Sequence, residues 1–581
     1  MKMNLMLLLS ALILMSNAKP TVASKDESKR ISKPAPSRMK LVWMSLDGFQ
    51  PEALSVWTSK IKNPHPRGLI WLLKSARGRQ NFKVINPTIT APSHISTITC
   101  AGAGAHGILD NNTWTGQGTT SGFNKPYAPE NWVARLRASG FRVGTSLYPS
   151  IDGVGEARSS DAGIFYDNPG STPQILSVVK GVTVGATIPD REQAEKKYPI
   201  ELTANAEGVV SVKTPWGAVS ALELAKPVDV FFTTKIGNVD RRASVSFMLL
   251  SQELDISVEV SPIQIMPSMA GDFRDELDRA NLTFSALRDY RFQSKTKPYL
   301  ASMKHRRRDV VRANRLMLAK GDLDALFLYF EDLDALLHAY YKDQAVESEV
   351  VQYIAEFDRD LGSILSMIPR SADLVVLGDH GMSAIAYVLN ARKILTEEIA
   401  AQGTVMTGGG ALYLYPPQGD VAQDPPATLN LERVAETLRG MQLDLTGRPL
   451  FGKVIVRGSP EAEAEGLIGK QVPWIMAFAG EGVAFKNSVE DKFLLARAKW
   501  SPIPQPLQAK YPEPLNNGVL ATPVPSGQHG HWNELSQMRT KLVLEGPKVS
   551  KIPAHAVEKT LQLLPAVADA VGWPRPASCA K

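Results

Sequence analysis

Three stretches constrain this chain more than any others: "KLVWMSLDGF" (40–49), "ALFLYFEDLD" (325–334) and "ADLVVLGDHGM" (372–382). Each is a continuous apolar run that ends in acidic residues. Successive side chains of a strand point to opposite faces, so an unbroken apolar run must be covered on both sides. That is the condition of a parallel sheet between layers of helices. The segments "GLIWLLKSA" (68–76), "PENWVARLRASG" (129–140), "RRDVVRANRLMLAKG" (307–321) and "SEVVQYIAEFDRDLGSIL" (348–365) have helical character and lie between such runs. The expected fold class is α/β, a sandwich with a mainly parallel central sheet and helices on both faces. In such sheets sites form at the carboxyl ends of the strands, where the acidic residues fall.

Residues 155–295 depart from this pattern. "GVVSVKTPWG" (208–217), "VDVFFTT" (228–234) and "ASVSFMLLS" (243–251) are strand-like. In "LDISVEVSP" (254–262), Leu254, Ile256, Val258 and Val260 alternate with Asp255, Ser257 and Glu259, the period of a strand. The expectation is a β-rich insertion at 155–295 that divides the core into 39–154 and 296–581. Residues 404–550 return to strands and Pro/Gly-rich loops, and "AVEKTLQLLPAVADAVG" (556–572) reads as a closing helix. The 581 residues exceed what one small core needs.

The first residues, "MKMNLMLLLSALILMSNAKPTVA", carry a positive start, an apolar run at Leu5–Met15 and small residues beyond it. Residues 1–23 are expected to be a signal peptide, and 24–38 a linker. No later run is long enough to span a bilayer. The expected location is outside the cytoplasm, periplasmic or secreted. Of the two cysteines, Cys100 is expected to be buried and Cys579 free in the tail. The formal charge of +7 favours anionic substrates but gives no sign of a dedicated nucleic-acid partner. The basic run "KHRRRDVVRANR" (304–315) is read as the solvated face of a helix.

The chemistry lies near the strand ends. Asp334 and His338 are four apart in "DALLH"; on a helix they share a face and can share a cation. Asp379 and His380 sit between Gly378 and Gly381, which free the backbone to turn both inward. His529 lies in the Gly-flanked "SGQHGHWNE", and Asp47 ends the first strand. Together these six are ligands of types suited to zinc. One further segment is unusual for an apolar chain: "NPTITAPSHISTITC" (86–100) packs hydroxyls, two prolines and a histidine among isoleucines. It is either a polar turn without consequence or a reactive Thr or Ser held in place. Ser93, Ser96, Thr97 and Thr99 are expected to serve as hydrogen-bonded helix-start residues.

In order and spacing these residues resemble the type I phosphodiesterase/nucleotide pyrophosphatase family of the alkaline phosphatase superfamily. The resemblance covers most of 40–150 and 300–385, with the "GQHGHWN" loop. The family's Pro-Thr-x-Thr-x-Pro-x-His pattern is matched by Pro87, Thr88, Ile89, Thr90, Ala91, Pro92, Ser93 and His94, and its "HGI.DN" segment by His106, Gly107, Ile108, Asp110 and Asn111. The resemblance implies an alkaline-phosphatase-like fold and a nucleophile at Thr90. It implies that Asn111, with the Thr90 N–H, holds phosphoryl oxygens. It also implies two divalent metal ions, with zinc usual and manganese or iron compatible. One would be held by Asp334, His338 and His529, the other by Asp47, Asp379 and His380 with Thr90. The implied activity is phosphodiester or pyrophosphate hydrolysis of a small phosphate ester through a phospho-threonine. A phosphomonoesterase or phosphonate hydrolase is the alternative, and a non-enzymatic binding protein a minor one.

Two departures bear on the substrate. Ala91 stands where nucleotide-cleaving members carry a base-stacking aromatic, and Ile89 where some carry Lys. Tyr340, two residues after His338, is open between an aromatic wall for the substrate and simple packing. A monoester brings one more negative charge, and the stretch after Asp152 offers only Arg158, which leans towards diesters. The Cys-x-Pro-x-Arg motif of sulfatases, or its Ser version, is absent around Thr90.

Overall fold

The three apolar runs form adjacent strands of one eight-stranded sheet in a computed structural model of the chain. The structure describes residues 38–165, 174–189, 195–236, 239–252, 256–265, 269–270, 282, 296–391, 395, 403–417, 419–443, 448–486 and 519–580. The expected signal peptide and all but the last residue of the expected linker lie outside the described residues.

Across the sheet the order is Met269–Ala270, Ala162–Ile164, Val143–Ser146, Ala325–Phe330, Leu41–Leu46, Asp373–Leu377, Thr540–Glu545 and Gly78–Phe82. The five strands from 162–164 to 373–377 run parallel. The flanking pairings are antiparallel. Every residue of Leu41–Leu46, Ala325–Phe330 and Asp373–Leu377 is buried, as runs apolar on both faces require. Burial of each large apolar side chain contributes about 1.5–3 kcal/mol. Two groups of helices supply the cover. Glu347–Leu365 packs with Thr296–Lys320, Pro51–Thr58 and Leu69–Lys74; Thr90–Thr99 packs with Thr560–Val571 and Trp132–Ala138. Leu46 is level with Phe330, and Ser45 with Leu377. This register brings the carboxyl ends of all three strands to one edge.

The β-rich module consists of two antiparallel sheets, one of 183–189, 197–204, 210–214 and 217–219, the other built on 174–178, 228–236, 239–251 and 256–260. They share one apolar core, in which Trp216 stacks on Phe232 at 3.8 Å. Asp229 of this module accepts from Ser246 Oγ and lies 2.9 Å from His305 Nε2 and 3.3 Å from Arg308 Nη2, both on helix Thr296–Lys320. A further module, with its own core, is formed by Ser383–Asn390, Thr404–Gly408, Ala411–Tyr415, Leu431–Arg439, Phe451–Val456, Ile475–Ala479 and Gly482–Lys486. The strand Val519–Gln528 pairs with Ser383–Asn390 and delivers the His529 loop.

Two expectations are corrected. The cysteines are neither separate nor free: Cys100 and Cys579 form a disulfide across 479 residues of sequence, with Cα atoms 5.1 Å apart. Cys100 ends helix Thr90–Thr99 in a left-handed conformation (φ 57°), and Cys579 lies in the short helix Ala577–Ala580. The closing helix Thr560–Val571 packs on Thr90–Thr99 and so carries the tail to this point; nothing local to either cysteine encodes that docking. The basic run is a solvated face only in part: Lys304, Arg308, Arg312 and Arg315 are exposed, as expected, but the other side of the helix is not. His305, Arg306 and Arg307 are all buried, Arg307 at 1% exposure, because the helix lies between the β-rich module and the strand-end edge. Acidic partners on both sides then make burial of the guanidiniums tolerable.

Candidate active site

The unusual segment 86–100 becomes the helix Thr90–Thr99, every residue of which is buried. Two of its five hydroxyls are satisfied within the helix, Thr97 Oγ1 donating to His94 O and Thr99 Oγ1 to Ile95 O, each at 2.7 Å, and Ser96 Oγ meets His106 Nε2 at 3.0 Å; against expectation, Ser93 Oγ is buried without a hydrogen bond. Thr90 stands at the first position, and its Oγ1 lies 3.1 Å from His380 Nε2. Below it His94 is a brace. Its Nδ1–H donates to Thr90 O at 2.8 Å and its Nε2 accepts from Ser45 Oγ at 2.8 Å. Burial lowers the His94 pKa to about 4, so the ring is neutral, as this pairing needs.

The strand ends complete the constellation. Asp47 Oδ1 is 3.2 Å and Asp379 Oδ2 3.3 Å from the same His380 Nε2. His380 Nδ1–H donates to Gly381 O, which turns Nε2 inward. Asp334 and His338 lie on helix Asp332–Tyr340 with Oδ1 and Nε2 3.2 Å apart, and His338 Nδ1–H donates to Gly527 O at 2.9 Å. His529 Nε2 is 3.9 Å from Asp334 Oδ1, and its ring stacks on that of His380 at 3.9 Å. Gly48 explains the closeness of two of these elements. At φ 68° it makes the turn after the first strand, and a Cβ there would fall 2.9 Å from the Asp334 backbone. The His529 loop is stitched to the segment that leads into Thr90: Gly530 N–H donates to Thr88 O, Thr88 Oγ1 to His531 O, and Asn533 Nδ2 to Val84 O.

The seven residues expected to hold cations therefore come together. Two groups have ligand atoms within 4.8 Å of one another, Asp47 with Asp379 and His380, and Asp334 with His380 and His529. His338 joins through Asp334. The donor set fits divalent cations on the observation that Asp47 Oδ1, Asp379 Oδ2, Asp334 Oδ1 and His529 Nδ1 are buried with no hydrogen bond. The electrostatics agree. Burial, then the neighbouring Asp47, pushes the Asp379 carboxyl well above its usual range. Burial opposes charge on His380, yet Asp379 and Asp47 hold its pKa up at about 10. Burial would raise Asp334, but the imidazoles of His338 and His529 hold it below the usual carboxylate range. Such a cluster needs positive charge at its centre.

Asn111 Oδ1 accepts from the Ala91 N–H at 2.9 Å, which leaves its NH₂ for another acceptor. Ala91 itself is fully buried and contacts Phe123 through the cluster with Ile95 and Ile108. Phe123, which the sequence reading did not single out, is the aromatic beside Ala91 that faces the cavity of the site. Together with Thr90, Asn111, Asp47 and Asp334, Phe123 lines a cavity of about 190 Å³. Tyr340 is not among its lining residues: it is buried against Tyr299, 5.8 Å between rings. Two residues along a helix is a rotation of about 200°, which carries Tyr340 away from the face shared by Asp334 and His338. Arg158 lies elsewhere, paired with Asp152 at 3.3 Å and donating to Asn124 O.

The sequence reading also missed Arg306 and Arg307, which line the cavity, and Tyr329, whose hydroxyl donates to Asp47 Oδ2 at 2.5 Å. The helical period of the basic run carried a signal for the arginines; the run's charge was read as solvation instead. Tyr329 has a testable role. Replacement by Phe leaves Asp47 oriented only by the strand end and is expected to weaken cation affinity about 10–100-fold. Isothermal titration of the stripped protein with zinc checks this, and an unaltered affinity would contradict it.

The sequence matches the type I phosphodiesterase/nucleotide pyrophosphatase family over residues 41–513. No curated protein matches it. Among solved structures, murine ectonucleotide pyrophosphatase/phosphodiesterase 5 is similar at 14% identity, covering 92% of this chain and 96% of that one, with a TM-score of 0.45. The human protein of that name is similar at 13% identity, with the same coverage and a TM-score of 0.44. Phosphonoacetate hydrolase from Sinorhizobium meliloti 1021, in complex with phosphonoformate, is 13% identical, covers 93% of this chain and 97% of that one, and has a TM-score of 0.50, which shows a shared fold. On the family match, which spans most of its length, the chain belongs to the type I phosphodiesterase/nucleotide pyrophosphatase family of metal-dependent phosphoric ester hydrolases, in the alkaline phosphatase superfamily.

Proposed function

We propose that this protein is an exported hydrolase of small phosphate esters, of phosphodiesterase or pyrophosphatase type, that works through a phospho-threonine at Thr90. The observation that carries the reading is the cluster of buried, unbonded carboxylate and imidazole atoms around the Thr90 hydroxyl. Asp334, His338 and His529 would hold one divalent cation, and Asp47, Asp379, His380 and Thr90 the other, with zinc best suited to this mixed set. When bound, the cations supply Lewis acidity at the Thr90 hydroxyl and at the ester oxygens.

The chain's own groups do the rest. His94 fixes the Thr90 carbonyl, so the hydroxyl is aimed before the substrate arrives. Thr90 Oγ1 attacks phosphorus; the Oγ1–P bond forms as the bond to the leaving oxygen breaks, and the hydroxyl proton passes through solvent to that leaving oxygen. Asn111 Nδ2 and the Thr90 N–H, at a helix N-terminus, donate to the phosphoryl oxygens as negative charge builds. Water then attacks the same phosphorus, the Thr90–P bond breaks, and the hydroxyl returns. The Cys100–Cys579 disulfide supports export, since such bonds persist in oxidising compartments. Among the described residues no helix is long and apolar enough to cross a membrane. A phosphomonoesterase or phosphonate hydrolase on the same site is the second reading, and the guanidiniums of Arg306 and Arg307 in the cavity favour it.

The test is an activity screen of zinc-replete protein on aryl phosphodiesters, aryl monoesters, nucleotides, phosphonates and sulfate esters. Turnover of at least one phosphorus ester is expected, with a loss of about a hundredfold or more after chelation and recovery on adding zinc. Full activity in metal-stripped protein would sink the reading.

A further inference from the structure

One wall of the cavity belongs to a single helix face. Tyr299, Ser302, Met303, Arg306, Arg307 and Val310 line it, spaced as one side of a helix should be. Within it stand two adjacent guanidiniums that neither hold cations nor touch Thr90 in the scheme above. Arg307 is fixed: Nε lies 2.8 Å from Asp360 Oδ2, Nη1 3.1 Å from Asp332 Oδ1, and Cζ 4.4 Å from the Tyr353 ring centre. Its Nη2 is buried, makes no hydrogen bond, and has Glu356 Oε2 no nearer than 3.9 Å. Arg306 is held by Glu331 at 2.5 Å. The β-rich module grips the positions on either side, through Asp229 to His305 and Arg308, and so sets the rotation of this helix.

We propose that Arg306 and Arg307 form a second anion subsite, and that the preferred substrate is a phosphate ester carrying a further oxyanion group, a carboxylate or a second phosphate. The inference rests on the phosphate-ester reading given above and names the substrate class within it. Guanidinium forks match planar oxyanions and hold them with charge-assisted hydrogen bonds. Glu331 and Asp332 also line the cavity, but each is engaged with a guanidinium. The incoming group displaces Glu331 from Arg306, and the fixed guanidinium of Arg307 adds positive charge beside it. Phe123, Met303 and Val310 cover the linking carbons.

The experiment measures competitive inhibition of 4-nitrophenyl phosphodiester hydrolysis by the zinc-loaded enzyme. The competitors are ethyl phosphate, phosphoglycolate and ethane-1,2-diyl bisphosphate. In the wild type, at least one of the two charged-tail compounds should bind about tenfold or more tighter than ethyl phosphate, the size of a charge-assisted contact. Which one does so names the group. In Arg306→Gln that preference should vanish, and Arg306→Lys should restore part of it. Equal inhibition by all three in the wild type would overturn the proposal without need of a variant. So would an Arg306→Gln effect of the same factor on all three, which would place the residue on the shared phosphoryl group. A wild type that releases no nitrophenolate from the diester would instead bring down the phosphodiesterase reading, and this one with it.

Discussion

Replacing Thr90 by Ala is expected to lower kcat by about 10⁴–10⁶-fold, the scale at which enzymes lose a covalent nucleophile. The reason is stoichiometric: without Oγ1 there is no atom to form the bond to phosphorus, and only water attack assisted by Asn111 and the cations remains. The protein should still fold. Thr90 is nearly buried but its side chain makes one polar contact, to His380, and Ala is a good residue for the first turn of a helix. The carboxylates and imidazoles of the other six ligands stay in place, so bound zinc, measured by mass spectrometry, should persist. Thr90→Ser keeps the oxygen and should retain much of the activity. Labelling gives the direct check. Rapid quenching with a ³²P-labelled substrate should leave label on wild-type protein and none on Thr90→Ala. Turnover within tenfold of wild type in the alanine variant would remove Thr90 from the mechanism.

The second large effect is on stability. Cys579→Ser opens a loop of 479 residues. The chain-entropy model puts the upper bound for such a loop at about 6 kcal/mol, and measured losses of native disulfides run at about 2–5 kcal/mol. The bond also pins the end of the helix Thr90–Thr99, where Ser578 Oγ donates to Thr99 O beside it. Urea denaturation of oxidised wild type, reduced wild type and Cys579→Ser should give a lower midpoint for the last two, and the same one for both. Identical midpoints for all three would mean that the two sulfurs are not joined in the protein.

How much was legible beforehand follows a physical rule. Asp334 and His338 were readable as a pair because four residues on a helix is a local relation. Asp47 and Asp379 were readable as strand ends because an apolar run terminates where the sheet meets solvent or a site. The segment 86–100 stood out through its prolines and hydroxyls but its residues left its role open; the resemblance pointed to Thr90, and the family match over residues 41–513 agrees with that resemblance. The arginines failed because charge alone does not say whether a helix face meets water or an acidic wall; Asp229, the adjacent Glu331 and Asp332, and Asp360 come from three other places in the chain. Phe123 was missed because its packing against the helix residues Ala91 and Ile95 is a contact between separate elements, which no local pattern announces.

By itself, then, the sequence determined what is local: the buried parallel strands, the helix periods, the acidic strand ends and a hydroxyl-rich segment braced by two prolines. Only the tertiary structure decided what joined to what. It paired Cys100 with Cys579, turned Tyr340 into the core, laid His529 beside His380, and set two guanidiniums in the substrate cavity. Local patterns are written in neighbouring residues, whereas these contacts depend on packing elements hundreds of residues apart, where shape and charge are matched only once the chain has folded.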